Sequence, residues 1–206
     1  MLKMVNHQIK VLQSVAASLI EGGRGVMGTP RPKQPAKPLK LYEFEGSPFC
    51  RRVREVITLL NLDVEIYPCP KGGKKYRQIV KDKGGKKQFP FLIDENTGAQ
   101  LYESQEIIHY LFKHYGKTGQ TPRKFSHYPK LPYISALASV ANVGRGIWID
   151  QQIIDRPAPE KLLELWSFEA SPYTRLVREV LTELELPYVL HNVPKERWQD
   201  MGPAVL

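Results

Sequence analysis

The amino-acid sequence predicts an α/β fold in which one strand–helix–strand unit occurs twice. Three observations lead to this prediction: a strand–turn–helix pattern begins at Lys40, a second copy begins at Leu163, and a strand–turn–strand–helix pattern follows the first copy. Two strands joined by a helix form a parallel pair with a right-handed crossover, so each copy should place its strands side by side in one sheet.

The first unit can be followed element by element. Lys40–Phe44 alternates in polarity and predicts a strand. Gly46-Ser47-Pro48 predicts a turn, because proline suits the first turn of a helix. Apolar residues at helical spacing predict that helix over Phe49–Asn61, and Val64–Tyr67 predicts the second strand.

The pattern continues beyond this second strand. Lys74–Lys83 predicts a basic helix, and Phe89–Asp94 predicts a strand with a proline near its start. A turn at Glu95–Gly98 lets Ala99–Tyr102 return as an antiparallel strand. Ser104–Tyr115 predicts a closing helix with an apolar inner face, and the glycine that follows ends it.

The internal repeat is the strongest pattern in the chain. Leu39–Lys71 aligns without a gap to Leu163–Lys195, and about half of the aligned positions are identical. The second copy stops at Leu206, before any counterpart of the later elements of the first. A lone βαβ unit leaves a sheet edge exposed. We therefore expect a shortened product, or a half-repeat that docks on the first domain or on another chain.

Four regions follow from these patterns. They are an amphipathic helix and Gly/Pro linker (1–38), a first domain (39–116), a connector (117–161) with one helix near Tyr133–Val143, and an incomplete second repeat (162–206). The helix at Met1–Glu21 has no acidic residue before Glu21. This composition fits either an organelle presequence or a packing or interfacial helix, and both interpretations remain open.

Composition narrows the choice of partners and compartment. The net charge of +9 favours anionic ligands or an acidic protein partner, and the basic run Lys71–Lys87 favours the same unless it is only a solvated surface. Nucleic-acid binding is not expected, because no recognised motif supports it. Neither a metal nor a membrane span is expected. Two cysteines suit a reducing compartment, so we expect a soluble intracellular protein, in plastid or cytoplasm.

The first repeat resembles the N-terminal domain of glutathione S-transferases, which has a thioredoxin-like βαβ-α-ββα fold. Three features carry the resemblance: Ser47-Pro48-Phe49-Cys50 at the strand-to-helix turn, Phe89-Pro90 before the hairpin, and Glu103-Ser104 at the start of the last helix. The layout also resembles plant and cyanobacterial proteins with two such domains in tandem. The resemblance implies glutathione as substrate or ligand.

The turn at Ser47 carries the expected chemistry. A helix N-terminus stabilises an anion, and the resemblance implies that the Ser47 hydroxyl holds the glutathione sulfur as a thiolate. A simple helix cap requires the same type of residue. Cys50 is the second candidate catalytic residue, either with a lowered pKa or as a small side chain packed under the turn. Cys69 could approach Cys50, and we hypothesise a regulatory bridge between them.

The remaining site residues follow from the resemblance. Pro90 corresponds to a cis-proline that turns the backbone of Phe89 toward glutathione. Glu103 and Ser104 correspond to the pair that receives the γ-glutamyl end, and Phe49 lies in the same turn as Ser47.

Two functional hypotheses stay open. One is a glutathione-dependent transferase or glutaredoxin-like thiol reductase that acts through Ser47 or Cys50. The other is a non-catalytic protein-interaction module built from duplicated thioredoxin-like domains. The connector is too short for the all-helical domain that completes a conventional transferase.

Overall fold

The computed structural model describes residues 25–29, 34–126, 145–153 and 159–196, together with the single positions 8, 11 and 157. Gln8 and Val11 are helical. The rest of the helix predicted over Met1–Glu21 lies outside the described residues, and so does the helix predicted near Tyr133–Val143.

Within these ranges the chain forms eight strands and five α-helices. The strands are β1 (Met27–Gly28), β2 (Leu39–Glu43), β3 (Val64–Pro68), β4 (Phe91–Asp94), β5 (Ala99–Leu101), β6 (Leu163–Ser167), β7 (Tyr188–Asn192) and β8 (Lys195–Glu196). The helices are α1 (Pro48–Leu59), α2 (Lys75–Gly84), α3 (Ser104–Tyr115), α4 (Arg123–Ser126) and α5 (Pro172–Glu183), with a 3₁₀ turn at Gln151–Ile153.

The main sheet has six strands in the order β5-β4-β2-β3-β7-β6. β2 and β3 run parallel, whereas β4 pairs antiparallel with both β2 and β5. The first repeat thus has the predicted βαβ-α-ββα order, and the α/β thioredoxin-like fold is confirmed. In the second repeat, β6 and β7 are parallel and are joined by α5.

Two layers of side chains hold the first repeat together. On one face of the sheet, α1 and α3 bury Val53, Val56 and Ile107 against Leu39 and Leu41. On the other face, Tyr76 and Val80 of α2 cover strand residues such as Tyr42 and Phe91. Because successive strand residues point to opposite faces, Leu39 and Leu41 of β2 lie in the first layer and Tyr42 lies in the second.

The second repeat docks on the first through its strand β7. β3 and β7 pair antiparallel, with Val64 opposite Leu190, Glu65 opposite Val189, and Ile66 opposite Tyr188. In the gapless alignment of the repeats, Glu65 and Val189 are equivalent positions. The register is therefore symmetric about that pair, and a local pseudo-twofold axis relates the two βαβ units.

Buried ion pairs follow the same symmetry. Arg54 of the first repeat pairs with Glu169 of the second at 2.9 Å, and Arg178 of the second pairs with Glu45 of the first at 3.0 Å. All four side chains are almost completely buried. Arg54 also contacts Glu43 at the end of β2.

Two short segments, which we call straps, cross between the repeats. The first strap, Gly25–Gly28, precedes the first repeat but lies on the second, where Gly25 O accepts from Ala170 N at 3.2 Å. The second strap, Gly146–Ile149, precedes the second repeat but lies on the first, where Gly146 O accepts from Gly46 N at 3.0 Å. Each repeat is thus covered at its turn by the segment that leads into the other.

The two repeats differ in what covers their helices. Val53 and Val56 are fully buried in the first repeat, where α3 packs on α1. The identical residues Val177 and Val180 of α5 are 45% and 50% exposed. The symmetry therefore ends at the outer face of the second repeat.

Candidate functional site

The N-terminus of α1 lies at the sheet edge where β2 ends. Ser47 is the N-cap residue, and its Oγ accepts a hydrogen bond from Cys50 N at 3.3 Å. The side chain is buried, and Pro48 occupies the first helical position. This geometry confirms the capping role, and it places the hydroxyl at the positive end of the helix dipole.

Cys50 and Cys69 are buried free thiols. Burial raises the pKa of Cys50 to about 12, and the nearby Glu43 carboxylate acts in the same direction. Burial also holds the pKa of Cys69 well above its ordinary value. Of the two alternatives for Cys50, the structure favours a small side chain packed under the turn over a thiol with a lowered pKa, because loss of solvation outweighs the helix dipole. The bridge between the two cysteines stays a hypothesis.

Phe89 and Pro90 form the wall beside this turn. The Phe89–Pro90 peptide bond is cis, as the resemblance implies, and it leads into β4 at the same sheet edge. The rings of Phe89 and Phe44 meet edge to face with centroids 6.3 Å apart, which joins the wall to the end of β2. The guanidinium of Arg77 lies 4.6 Å from the Phe89 ring centre.

Glu103 and Ser104 lie at the start of α3. Because β5 runs parallel to β2, the start of α3 lies at the same sheet edge as the start of α1. Ser104 is buried, and Glu103 has the uncommon φ of 60°. Gln88 donates a hydrogen bond to the Glu103 carboxylate, so the chain before Pro90 is tied to the start of α3.

A further contact fixes the two helices to each other. Arg52 of α1 donates to the side-chain oxygen of Gln105 in α3 at 2.8 Å. The structure thus brings together at one edge most of the site residues predicted from sequence: Ser47, Phe89, Pro90, Glu103 and Ser104. Phe49 is in the same turn and is half exposed. Cys50 and Cys69 lie beneath the surface of this edge.

The turn at Ser171 repeats only part of this arrangement. Ser171 caps α5 by accepting from Thr174 N at 3.4 Å, as Ser47 does for α1. The residue equivalent to Cys50 is Thr174, whose hydroxyl lies 2.5 Å from that of Ser167. Among the described residues, no cis-proline wall or third helix stands beside this turn. The candidate site is therefore in the first repeat.

A cluster of buried charges, formed by Glu43, Glu45, Arg54, Glu169 and Arg178, includes groups that act electrostatically on Cys50. Burial raises the pKa of Glu43 to about 7, although the guanidinium of Arg54 acts in the opposite direction. Burial also opposes ionisation of Glu169, but Arg178 and Arg54 outweigh it and hold the pKa of that carboxyl low. Burial thus favours the protonated form of Glu43, whereas the two arginines favour the ionised form of Glu169.

Sequence reasoning missed three parts of this region: Arg77, Gln88 and the second strap. Arg77 was visible only as one charge within a basic run. The straps did leave a signal, since Arg24-Gly25-Val26-Met27 matches Arg145-Gly146-Ile147-Trp148 in residue type. This similarity lies outside the gapless alignment, because the segments joining the straps to their repeats differ in length.

The described part of the chain also bears on metal binding, membrane insertion and cavities. No group of three or more His, Cys, Asp or Glu residues is placed to hold a metal ion. No described helix is long and apolar enough to cross a bilayer. A cavity of about 350 Å³ lies away from the Ser47 turn, between the C-terminal ends of α1 and α3, where Leu59 and Phe112 line it.

Parts of the chain are similar to known glutathione transferases. The family described as "Glutathione S-transferase, N-terminal domain" matches residues 41–121 and 165–205. Among solved structures, Bombyx mori glutathione transferase BmGSTD1 is 31% identical over 48% of this chain and 43% of that chain, with a TM-score of 0.37.

Two further solved structures give similar values. BmGSTD1 in a complex with GTT is 31% identical over 41% of this chain and 39% of that one, with a TM-score of 0.35. A delta-class glutathione transferase of Nilaparvata lugens is 30% identical over 48% and 43%, also with a TM-score of 0.35. The chain thus spans less than half the length of these transferases. Comparison with curated proteins gave no match.

Proposed function

This chain belongs to the glutathione S-transferase N-terminal domain family, and we propose that its first repeat binds glutathione with the sulfur held at Ser47. The observation that carries the proposal is the convergence of Ser47, the cis-Pro90 wall and the start of α3 on one sheet edge. Gln88–Glu103 and Arg52–Gln105 contacts support it, because they hold the three parts in fixed relation.

Ser47 can cap the helix and hold a thiolate at the same time. Its Oγ accepts from Cys50 N, and that bond uses only a lone pair of the oxygen. The hydroxyl hydrogen would donate to an anion bound outside the helix. A thiolate there would gain this hydrogen bond and the favourable end of the α1 dipole.

The two ends of the tripeptide have matching groups. The N-terminus of α3 and the Ser104 hydroxyl suit the γ-glutamyl carboxylate, and the Glu103 carboxylate suits the ammonium. Arg77 brings a positive charge to Phe89, and it is fixed there by donating to Cys69 O at 2.8 Å. The γ-glutamyl end would thus meet groups of opposite charge at the start of α3, and Arg77 would offer a positive charge to the glycyl carboxylate at the other end.

The reaction that fits these groups is conjugation. The thiol proton leaves to solvent, and the glutathione sulfur forms a bond to an electrophilic carbon as its leaving group departs with the bonding electrons. Dithiol exchange fits less well, since Ser47 replaces the usual nucleophilic cysteine and burial raises the pKa of Cys50 to about 12. A site built on Ser47 therefore favours a transferase over a reductase.

Titration with glutathione tests the proposal. Calorimetry should give saturable binding, and NMR should show shifts of the Ser47, Phe89 and Ser104 amide signals. A chromogenic aryl halide then reports conjugation. Absence of saturable glutathione binding at millimolar concentrations would contradict the proposal.

The alternative, a non-catalytic interaction module, is favoured by a separate observation. Val177 and Val180 are exposed, whereas their identical counterparts in the first repeat are buried. An apolar helix face in solvent is typical of surfaces that meet another macromolecule. This role predicts glutathione binding without turnover, or no glutathione binding, and the same titration and assay separate it from the transferase.

A further inference from the structure

The second strap lies directly against the candidate site. Gly46 N donates to Gly146 O at 3.0 Å, and Gly46 is the residue before Ser47. Ile147 packs so closely on Gly46 that a Cβ added to this glycine would overlap the isoleucine side chain. The residue that precedes Ser47 is thus in direct contact with the second strap.

The strap is fixed at both of its ends. Lys71 N donates to Ile147 O at 2.7 Å, and Ile149 N donates to Lys71 O at 3.0 Å, which forms a parallel bridge between Lys71 and Trp148. Arg145, just before the strap, pairs with Glu179 of α5 at 3.0 Å. The backbone that presents Trp148 is therefore anchored to both repeats.

Trp148 is held in solvent beside a positive charge. Its side chain is 61% exposed, and the Lys71 ammonium lies 5.2 Å from the ring centre. Exposure of so much indole surface costs free energy unless another group covers it. The ammonium adds an attraction for an anion at the same place.

The first strap offers an internal comparison. Met27 is the counterpart of Trp148 and lies on the second repeat. It pairs in parallel with Lys195, as Trp148 pairs with Lys71. Lys195 is in turn the counterpart of Lys71. The aromatic residue thus occurs at the repeat that carries the site, and an aliphatic residue occurs at the other.

We propose that Trp148 and Lys71 form the subsite for the second substrate, and that this substrate is a flat aromatic electrophile carrying a negative charge. The indole would stack on the aromatic ring, and the ammonium would receive the charge. This inference rests on the proposed glutathione site. The second strap would thus form the second-substrate site that an all-helical domain forms in a conventional transferase.

Binding of conjugates tests the subsite without requiring turnover. Calorimetry would compare glutathione with its S-(4-carboxy-2,6-dinitrophenyl) conjugate. We expect the wild-type chain to bind the conjugate about tenfold more tightly than glutathione, which corresponds to a difference of roughly 1.4 kcal/mol in binding free energy. Trp148→Ala should abolish this advantage and leave glutathione affinity unchanged, whereas the matched Met27→Ala should retain it.

Lys71 has its own matched pair of variants. Lys71→Ala should weaken binding of the carboxylated conjugate several-fold. It should leave binding of the S-(2,4-dinitrophenyl) conjugate, whose aryl group carries no charge, unaffected. Lys195→Ala should change the affinity for neither conjugate. If Trp148→Ala is poorly folded, Trp148→Leu keeps apolar bulk without the aromatic face, and its thermal melt verifies folding.

The outcomes separate the two proposals. If the wild-type chain binds neither glutathione nor the conjugate, the glutathione site and this subsite both fail. If glutathione binds but Trp148→Ala and Trp148→Leu keep the full advantage of the conjugate, the glutathione site stands and the subsite alone is overturned.

Discussion

Arg54 and Glu169 form a buried ion pair of 2.9 Å that joins the two repeats, and Arg178 and Glu45 form its symmetry mate at 3.0 Å. Each arginine lies on the helix of one repeat, and each glutamate lies in the turn of the other. The same residue types in the same positions thus serve both sides of the interface, as in an isologous dimer.

Removing one carboxylate of this set should weaken the whole fold. Glu169→Gln leaves Arg54 and Arg178 short of a buried counter-charge, and we expect a loss of about 3 kcal/mol in the free energy of unfolding. Urea denaturation followed by circular dichroism measures it. Glu95→Gln, which removes the exposed partner of Lys40, is the control and should leave the midpoint unchanged. A Glu169→Gln midpoint equal to that of the control would contradict a structural role for the pair.

Ser47 and Ser171 are matched by sequence and by capping geometry, so they separate stability from function. Each Ser→Ala variant should lose about 1 kcal/mol of stability, because each cap hydrogen bond is lost. Only Ser47→Ala should also lose glutathione conjugation, by at least tenfold in kcat/KM. Equal activity in both variants would mean that the hydroxyl of Ser47 is a cap and nothing more.

The thiols of Cys50 and Cys69 should react slowly in the folded chain. Burial raises the pKa of Cys50 to about 12, so very little of this thiol is ionised at pH 8. Titration with a chromogenic disulfide should therefore detect almost no thiol within minutes, and two per chain in 6 M urea. Rapid modification of the native chain would show that the buried thiols become exposed, and it would revive the bridge hypothesis.

Local patterns predicted the elements of the first repeat well. The range Ser104–Tyr115 agrees with α3 at both ends, because helical spacing and the following glycine are local signals. The grouping of Ser47, Pro90 and Ser104 could also be predicted, since it follows from a recognisable fold. The docking of β7 on β3 was one of several open alternatives, because pairing of two edge strands leaves no mark within either strand.

The contacts that the straps make and the raised pKa of Cys50 could not be predicted, for a different reason. Each strap is only four residues long and is stabilised by contacts with residues far along the chain, such as Gly146 with Gly46. The pKa of Cys50 depends on how deeply the turn is covered, and on the buried Glu43 beside it. Neither the contacts of the straps nor the pKa of Cys50 can be deduced from the spacing of nearby residues.

Glu43 should make stability depend on pH between about 4.5 and 7. Its pKa is raised to about 7 in the folded chain from 4.5 when unfolded, so the folded state binds the extra proton. This contribution to stability is complete below pH 4.5 and is lost as pH rises to 7, by up to about 3 kcal/mol. Burial also raises the pKa of Glu179 to about 7, with the same sign.

The variant Glu43→Gln isolates the first of these groups. Urea midpoints at pH 5 and pH 7.5 should differ less in the variant than in the wild type, because glutamine does not titrate. Glu179→Gln shows how much of the remaining slope belongs to the second group. An unchanged difference in Glu43→Gln would show that Glu43 does not gain a proton in this window.

Gly46 and Ile147 provide a last test, of how tightly the second strap is packed. In the second repeat the counterpart of Gly46 is Ala170, and the facing strap residue is the smaller Val26. A methyl group at Gly46 would overlap Cγ1 of Ile147, so Gly46→Ala should cost about 1–3 kcal/mol through overpacking. Ile147→Ala in the same chain removes the overlapping atom, and the double variant should regain most of that loss. Denaturation of the two single variants and the double variant gives the coupling energy, and additive effects would mean that the strap does not rest on this turn.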